Sequence, residues 1–263
     1  MTRKVFFVNY ASGAFERNRK YNNVFTRYFV RPHKILSYNL KDLQSTYEYQ
    51  NNPELFSQTI GGGYWAWKPL FILKAMKAAE PGDIILYQDC GIGFRYKNVI
   101  RPKAIVNYAL TYGAMPGVAV PEYGINKNWT HKLCFSLMNC DTDEYHQLYQ
   151  TEAAISCWVV NEKNMIIVKE WLKFCLDFQI ISNDGIALSQ HLGYAVNGHR
   201  HDQSVLSNLV GKYSLKPYWQ NENSGHLFKS LSYLELNMRH SLFSKIMLSL
   251  YRCAVYLNRR ISR

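Results

Sequence analysis

The chain has 263 residues, of which 48% are hydrophobic, enough for the core of one large domain or a domain with an appendage. Its 31 Lys and Arg against 19 Asp and Glu give a formal charge of +12, which favours anionic partners: phosphorylated small molecules, anionic lipid or nucleic acid. The six cysteines lack zinc-type spacing, no run of about 18 apolar residues predicts a membrane span, and no signal peptide precedes the first apolar run. We therefore expect a cytoplasmic protein with reduced thiols.

Apolar runs bounded by turn residues alternate along the chain with stretches of helical periodicity. The runs predict buried strands at residues 4–9, 33–38, 83–88, 117–121 and 153–160. The periodic stretches predict helices at residues 15–30, 69–79, 102–112, 162–178 and 201–210. Strands that alternate with helices are typical of an α/β fold in which helices cover both faces of a sheet. Residues 43–57 show no clean periodicity, and no linker divides residues 1–215.

A carboxylate follows the most continuous of the predicted strands. In an open α/β sheet, ligands bind beyond the carboxyl ends of the strands, and Asp89 lies directly after the strand at 83–88. There it can hold a divalent cation that neutralises a diphosphate leaving group. The alternative is that Asp89 is a turn residue ahead of Gly91.

Residues 61–69, with the sequence GGGYWAWKP, combine three glycines with aromatic rings and a cation at a predicted helix start. Glycines let the backbone approach a ligand closely, and Trp65 and Trp67 offer stacking faces. Lys68 together with the helix N-terminus makes an anion site. The alternative is an aromatic-anchored loop that packs over the core.

Residues 199–204, with the sequence HRHDQS, place polar side chains ahead of an apolar helical pattern. Asp202 beside the Gln203 amide can orient a sugar or support positive charge at an anomeric carbon, and the alternative is that Asp202 is a helix N-cap. The chain has no Ser-His-Asp order and no GxSxG, HExxH, Walker or GxGxxG pattern. These absences argue against a nucleotide hydrolase or a dinucleotide-dependent enzyme.

In combination, these segments resemble a family of bacterial glycosyltransferases of capsule and O-antigen synthesis. Its members look like GGGYWxWKP, then GDIxxYxDxG, then HRHDQS, in the order found here. The resemblance covers residues 1–215 and includes a start like Asn9–Tyr10 and an element like residues 129–132. It implies a GT-A fold for residues 1–215: a Rossmann-like domain with a mostly parallel sheet, which binds a nucleoside-diphosphate sugar with Mn²⁺ or Mg²⁺.

The strand end also resembles the YLDAD segment of retaining galactosyltransferases related to glycogenin, and Asp202–Gln203 resembles their Asp-Gln pair. The resemblance implies that Asp89 is the first acidic residue of the metal-binding DxD motif. Gly91 stands where the second acidic residue belongs, and one carboxylate cannot make the usual pair of contacts to a metal. It also implies that Asp202 and Gln203 are catalytic, with Gln203 by the anomeric carbon, that configuration is retained, and that UDP-galactose is the first donor to expect. The expected donor-binding residues are Lys68, Asp89, Gly91, Trp65, Trp67, Arg17, Arg200 and His201.

The basic excess is concentrated in residues 216–263, a predicted helical extension that holds eight basic residues and two acidic ones. Within it, residues 241–261 place leucine and isoleucine on one helical face and basic residues on another. Such a helix can lie on an anionic membrane surface. The alternatives are that it docks on its own domain or binds another enzyme of glycan assembly.

The expected function is transfer of a sugar from a nucleotide-sugar donor to a growing bacterial surface glycan or a lipid-linked acceptor, on the inner face of the cytoplasmic membrane. A second class is a degenerate, non-catalytic protein that binds a nucleotide sugar or glycan, and Gly91 supports it. Nucleic acid is not an expected partner, because the basic extension predicts an amphipathic helix and no recognisable nucleic-acid-binding module.

Overall fold

The structure, a computed structural model, describes residues 3–90 and 102–219. Gly91 and the predicted amphipathic helix at residues 241–261 lie outside these ranges. The elements of the first range are β1 (Val5–Tyr10), α1 (Glu16–Phe29), β2 (Lys34–Tyr38), α2 (Leu40–Gln44), α3 (Tyr47–Asn51), α4 (Pro53–Phe56), α5 (Gly61–Tyr64), α6 (Trp67–Lys77) and β3 (Ile84–Gln88). Those of the second are α7 (Pro102–Tyr112), β4 (Ala114–Met115), β5 (Val118–Ala119), α8 (Lys132–Leu137), α9 (Asp143–His146), β6 (Thr151–Glu152), β7 (Ile155–Val159), α10 (Glu162–Cys175), α11 (Phe178–Ile181), α12 (Gly185–His191), α13 (Asp202–Lys212) and β8 (Tyr218–Trp219).

Five strands form the main sheet in the order β2-β1-β3-β7-β4. Strand β1 lies parallel to β2 and β3, whereas β7 lies antiparallel to both β3 and β4. Strand β7 therefore runs against the other four. The predicted α/β class is confirmed, and the sheet is mixed, since two of its strand pairs are parallel and two are antiparallel.

The predicted strand at 117–121 does not join the main sheet. Its residues in β5 pair antiparallel with β6 and parallel with β8, in a separate three-stranded sheet. Gly117 lies so close to β6 that an added Cβ would come within 2.4 Å of the Glu152 carbonyl oxygen. An apolar run indicates a buried strand but not the sheet to which it belongs, so the place implied for this strand in the main sheet was wrong.

Side chains alternate across the main sheet and fill two apolar layers. Phe6, Val8 and Tyr87 pack in one layer with residues of α6 and α10. Phe7 and Leu86 pack in the other layer with residues of α7. Every residue of β3 is buried, because helices cover both faces of the sheet as predicted. Its continuous apolar run follows from this double burial.

The predicted helices correspond to α1, α6, α7, α10 and α13, with shifted ends. The largest difference lies at 162–178, where α10 ends at Cys175 and α11 begins at Phe178. The Asp177 side chain accepts a hydrogen bond from the backbone N–H of Gln179 at 3.0 Å, which caps the second helix. This capping carboxylate starts a new helix, so α10 ends three residues before the predicted end.

Residues 43–57 contain the end of α2 and the whole of α3 and α4. Asn39 forms a capping box with Asp42 at the start of α2, and the Thr46 hydroxyl caps α3. Each of these helices has only four or five residues. Helices of this length leave no room for a repeating apolar pattern, which explains why the sequence showed none.

Candidate functional site

Three charged side chains from distant parts of the chain meet at the carboxyl edge of the main sheet. Lys68 comes from the first turn of α6, Asp89 follows β3, and Asp202 begins α13. The Lys68 Nζ lies 2.8 Å from Asp202 Oδ2 and 3.4 Å from Asp89 Oδ2. We call these residues the carboxylate–lysine cluster. Each of the three predicted sequence segments therefore supplies one member of it.

Burial governs the electrostatics of this cluster. Lys68 is only 3% exposed. Its burial would lower its pKa, but the charges of Asp202 and Asp89 outweigh that effect and raise the pKa above its usual value. Burial raises the pKa of Asp202 to about 6, although Lys68 opposes the shift. Lys68 is thus a fixed cation, whereas Asp202 changes its charge near neutral pH.

Tyr87 holds the second carboxylate in place. Its hydroxyl donates a short hydrogen bond to Asp89 Oδ1, and the Lys68 Nζ lies 5.9 Å from the centre of its ring. Burial, and then the Asp89 charge, raise the pKa of Tyr87 well above its usual value, so the hydroxyl keeps its proton and donates. From the sequence, Tyr87 was given no role. The available signal was its place two residues before Asp89, on the same face of the strand.

Asp202 is not the N-cap of α13, which was the alternative reading of this residue. The N-cap is His201, and Asp202 is the first helical residue, so that alternative was wrong. The reason is the ion pair, which directs the Asp202 carboxylate towards Lys68. The Trp171 indole N–H donates to the Asp202 carbonyl oxygen at 3.0 Å and fixes the backbone there. The N-terminal end of the helix also favours a carboxylate at this position.

The glycine-rich segment forms a left-handed turn. Gly61, Gly62, Gly63, Tyr64 and Trp65 all have positive φ, between 51° and 93°. L-residues rarely adopt this region, and five in succession form a turn of left-handed helix. The glycines therefore serve the backbone conformation of α5. This turn leads directly into α6 and sets the position of its first residues.

The two tryptophans of this segment have different environments. The Trp67 ring is buried, lies 4.3 Å from the Tyr10 ring centre, and its Nε1 donates to the Gly61 carbonyl oxygen at 2.8 Å. The Trp65 ring is partly exposed and packs over Gly61, where an added Cβ would come within 2.4 Å of it. Trp67 therefore anchors the segment on the core, as the alternative reading expected. Trp65 is partly exposed and keeps an accessible face.

Three histidines contact carbonyl oxygens at the end of α11, and two of them, His199 and His201, fasten the start of α13 to it. His199 Nε2 lies 2.9 Å from the Ile180 oxygen, His201 Nδ1 2.7 Å from the Ile181 oxygen, and His131 Nε2 3.1 Å from the Ser182 oxygen. A carbonyl oxygen only accepts, so each of these ring nitrogens carries a proton and donates.

Burial lowers the pKa of all three imidazoles, for His131 to about 4. They are therefore neutral at physiological pH, and their hydrogen bonds cap three successive carbonyls of a helix end. His131 lies in the element at residues 129–132 that carries part of the resemblance, but it was given no role, because its partners are distant in sequence.

His201 also has an unusual backbone, with φ 54° and ψ −121°. This conformation favours glycine, and a residue with a side chain holds it only when its surroundings enforce it. The His201 ring stacks on Tyr64 with 4.6 Å between centres and lies 5.7 Å from Trp65. Together with the bond to Ile181, these contacts enforce the strained backbone next to Asp202.

The two expected arginines lie outside the cluster. Arg200 places its guanidinium 4.2 Å from the centre of the Trp129 ring and 5.6 Å from that of Tyr123. Arg17 is exposed in the first turn of α1, which follows β1 at the same edge of the sheet. Both side chains are exposed near the carboxyl edge of the sheet.

The predicted catalytic amide, Gln203, follows Asp202 in the first turn of α13. Its Nε2 donates to Gln150 Oε1 at 2.8 Å. Gln150 is fully buried and was not predicted, since a single glutamine 53 residues away gives no local signal. Asp202 and Gln203 thus differ in partners: one is paired with a cation and the other with an amide.

A divalent cation requires several oxygen ligands. Asp89 and Asp202 are the carboxylates of the cluster, but the Lys68 ammonium bridges them and Tyr87 donates to the other oxygen of Asp89. Within residues 3–90 and 102–219, no group of three or more His, Cys, Asp or Glu is arranged to hold a metal. These side chains alone do not fit a metal site, so we derive no step through a metal. The expectation of Mn²⁺ or Mg²⁺ stays a prediction.

Comparison with known proteins gives no family assignment for this arrangement. No protein-family model, no curated protein and no solved structure matches the chain. Across the described part of the chain, the helices are all too short or too polar to cross a membrane. Function is therefore inferred from the geometry of the site and from the sequence resemblance.

The raised pKa of Asp202 has a measurable consequence. Its folded-state pKa of about 6 exceeds the usual value of 3.8, so its contribution to stability is complete below about pH 4 and is lost as the pH rises through 6. The free energy of unfolding of the wild type, relative to D202N, should fall by roughly 1–3 kcal/mol between about pH 4 and pH 7. Urea unfolding across this range measures the difference, and a constant difference would contradict the assignment.

Asp141→Asn is the matched control with the opposite sign. Burial raises the pKa of Asp141, but hydrogen bonds from Lys132, His146 and Ser136 lower it below its usual value. Its contribution is present above about pH 4 and is lost as the pH falls further. D141N should therefore show its pH dependence below the window in which D202N shows its own.

Alanine at Gly61 and at Gly62 separates backbone strain from close packing in α5. The two glycines have φ of 59° and 58°, so each alanine should destabilise the fold by about 1–2 kcal/mol. At Gly62 the nearest atom, Trp67 Nε1, is 4.0 Å away, whereas at Gly61 the Trp65 ring is in the way. Chemical unfolding should show a loss for Gly61→Ala that is larger by about 1–3 kcal/mol, and equal losses would refute the packing argument.

Proposed function

We propose that the chain is a glycosyltransferase that takes a sugar from a nucleoside-diphosphate donor, UDP-galactose being the first to test. The observation that carries the proposal is the convergence of Lys68, Asp89 and Asp202. They come from three segments that resemble those of one transferase family, and they lie at the carboxyl edge of an α/β sheet, where such folds bind ligands. We propose a GT-A fold on the same grounds.

The cluster supports roles in sugar positioning. Asp89 keeps part of its side chain exposed, whereas the side chain of Asp202 is almost fully buried. We propose that the two carboxylates orient the hydroxyls of the donor sugar or the acceptor, and that Lys68 fixes the carboxylates. Direct contact between Lys68 and the donor diphosphate stays a prediction. In the structure, the Lys68 ammonium is paired with both carboxylates.

The transfer would break the bond between the anomeric carbon and the diphosphate oxygen, and form one from the acceptor hydroxyl oxygen to that carbon. In a reaction with retention, the acceptor proton would leave with the diphosphate. Gln203 would lie beside the anomeric carbon, where positive charge develops. Stabilisation of charge on the leaving diphosphate would supply most of the acceleration, and Arg17 and Arg200 are the accessible cations that suit this role.

The acceptor we propose is a growing bacterial surface glycan or its lipid-linked precursor. A peripheral position on the inner face of the cytoplasmic membrane would bring the site to such an acceptor. The predicted amphipathic helix at residues 241–261 supports this proposal.

A degenerate protein that binds a nucleotide sugar without turnover is the second candidate. The observation that favours it is the engagement of both carboxylates by Lys68, together with glycine in place of the second acidic residue of the DxD motif. Such a protein would bind UDP-sugars without releasing UDP.

The test is release of UDP from a panel of UDP-sugars, with and without Mn²⁺, alongside calorimetric binding of each donor. We expect slow hydrolysis of one donor by the wild type, and a loss of about 100-fold or more in D89A and D202A, because each removes charge beside the reacting sugar. Binding without UDP release would establish the second candidate.

Asp143→Ala is the control for these variants, since the Asp143 side chain is 96% exposed. It should hydrolyse the donor at the wild-type rate. If D89A and D202A match it, the assignment of the site is wrong.

A further inference from the structure

A chain of buried side-chain amides links the backbone of α9 to Gln203. Asn126 Nδ2 donates to the Tyr145 carbonyl oxygen at 3.2 Å. Gln150 Nε2 donates to Asn126 Oδ1 at 2.6 Å, and Gln203 Nε2 donates to Gln150 Oε1 at 2.8 Å. Asn126 and Gln150 are fully buried, so water does not compete for these bonds. The chain therefore connects one fixed backbone group to a side chain of the candidate site.

The direction of every bond in this chain follows from its first member. A backbone carbonyl only accepts, so Asn126 turns its NH₂ group to Tyr145 and its oxygen to Gln150. Gln150 must then donate to Asn126, which leaves its own oxygen for Gln203. By the same logic, Gln203 turns its NH₂ group inwards.

Side branches support the same direction. The Thr130 hydroxyl accepts from Gln150 Nε2 at 3.2 Å and donates to Asn126 Oδ1 at 2.8 Å. The second proton of the Asn126 amide goes to Asn208 Oδ1 at 2.7 Å. Reversal of any one amide would place oxygen against oxygen in a buried site, where an unpaired polar atom is costly.

The consequence concerns the outer atom of Gln203. Because its NH₂ group donates to Gln150, the carbonyl oxygen Oε1 is the atom left to face another partner. A carbonyl oxygen stabilises neighbouring positive charge, whereas an NH₂ group would oppose it. Gln203 is partly exposed and directly follows Asp202 of the carboxylate–lysine cluster.

We propose that Gln150 is a positioning residue, which together with Asn126 holds the carbonyl oxygen of Gln203 towards the reacting sugar. The proposal rests on the proposed function, in which positive charge develops beside Gln203. If the amide chain served only to hold the core together, its loss would affect stability without affecting the orientation of Gln203.

Gln150→Met tests the proposal, because methionine keeps the volume and removes the acceptor for Gln203. The side-chain amide protons of Gln203, assigned in nitrogen-15 spectra by their loss in Gln203→Glu, should exchange with water about 10-fold faster or more in Q150M. In the donor hydrolysis assay, Q150M should lower kcat by about 10-fold with a nearly unchanged KM, since only the orientation of one catalytic group changes.

Two further variants make the result specific. Gln150→Glu should rescue both measurements at pH 6: burial raises the pKa of a carboxyl group, and a protonated Glu donates to Asn126 while its carbonyl accepts from Gln203. Asn208→Leu removes a side branch of the same network and should change stability, but neither the Gln203 exchange rate nor kcat.

An unchanged Gln203 exchange rate in Q150M overturns the proposal, as does an N208L variant that reproduces the Q150M effects. If the wild type turns over no donor, the proposed function fails separately, and the exchange measurement still decides whether Gln150 orients Gln203. Should Q150M fail to fold, Gln150→Leu replaces it, because leucine also lacks an acceptor for Gln203, and its Gln203 exchange rate is compared with that of the wild type at the same pH.

Discussion

The buried ammonium of Lys68 is the charge on which the arrangement of this protein depends. A lone charge in the core costs several kcal/mol, whereas one held between two carboxylates can be accommodated. The pairing requires the ammonium in the first turn of α6 to lie 3.4 Å from the carboxylate after β3 and 2.8 Å from the carboxylate in the first turn of α13. A shift of α13 by one residue would put His201 or Gln203 in place of Asp202. The ion pairs therefore fix the register of both helices.

Strained backbone flanks two members of the cluster. Trp65, three residues before Lys68, has φ of 61°, and His201, directly before Asp202, has φ of 54°. The rings of these two strained segments contact each other, since His201 lies against both Tyr64 and Trp65. Strain of this kind persists only where the surroundings enforce it, and it is concentrated at functional sites. The contact joins the left-handed turn to the histidine-capped start of α13, so that each strained segment supports the other.

The sequence predicted the class of the fold because its helices and buried strands are long enough to show their period. It did not predict the direction of β7 or the separate sheet of β5, since an apolar run has the same appearance in either direction and in any sheet. The short helices between residues 40 and 56 depend on individual caps and have no period at all.

The resemblance of three motifs predicted that Lys68, Asp89 and Asp202 belong to one site. In the structure, Lys68 lies within ion-pair distance of both carboxylates. Gln150 and His131 were missed for a common reason. A single buried Gln or His has no local signature, and its partners at Gln203 and Ser182 lie more than 50 residues away. What distinguishes such residues from surface ones is burial, which requires the fold. The opposite holds for the histidines of residues 199–204. The sequence motif identified them, but it could not predict that they cap carbonyls at the end of α11.

The central claim is that Lys68 and Asp202 are coupled, and a double-mutant cycle measures that coupling directly. Urea unfolding of the wild type, Lys68→Met, Asp202→Asn and the double variant gives the interaction free energy. Lys68→Met leaves two carboxylates without their cation and should lose about 3–5 kcal/mol. Asp202→Asn should lose less, because burial already disfavours the charged form of Asp202. The double variant should be more stable than the sum of these losses predicts, by roughly 2 kcal/mol. Losses that add to within about 0.5 kcal/mol would contradict the account, because the two residues would then be independent.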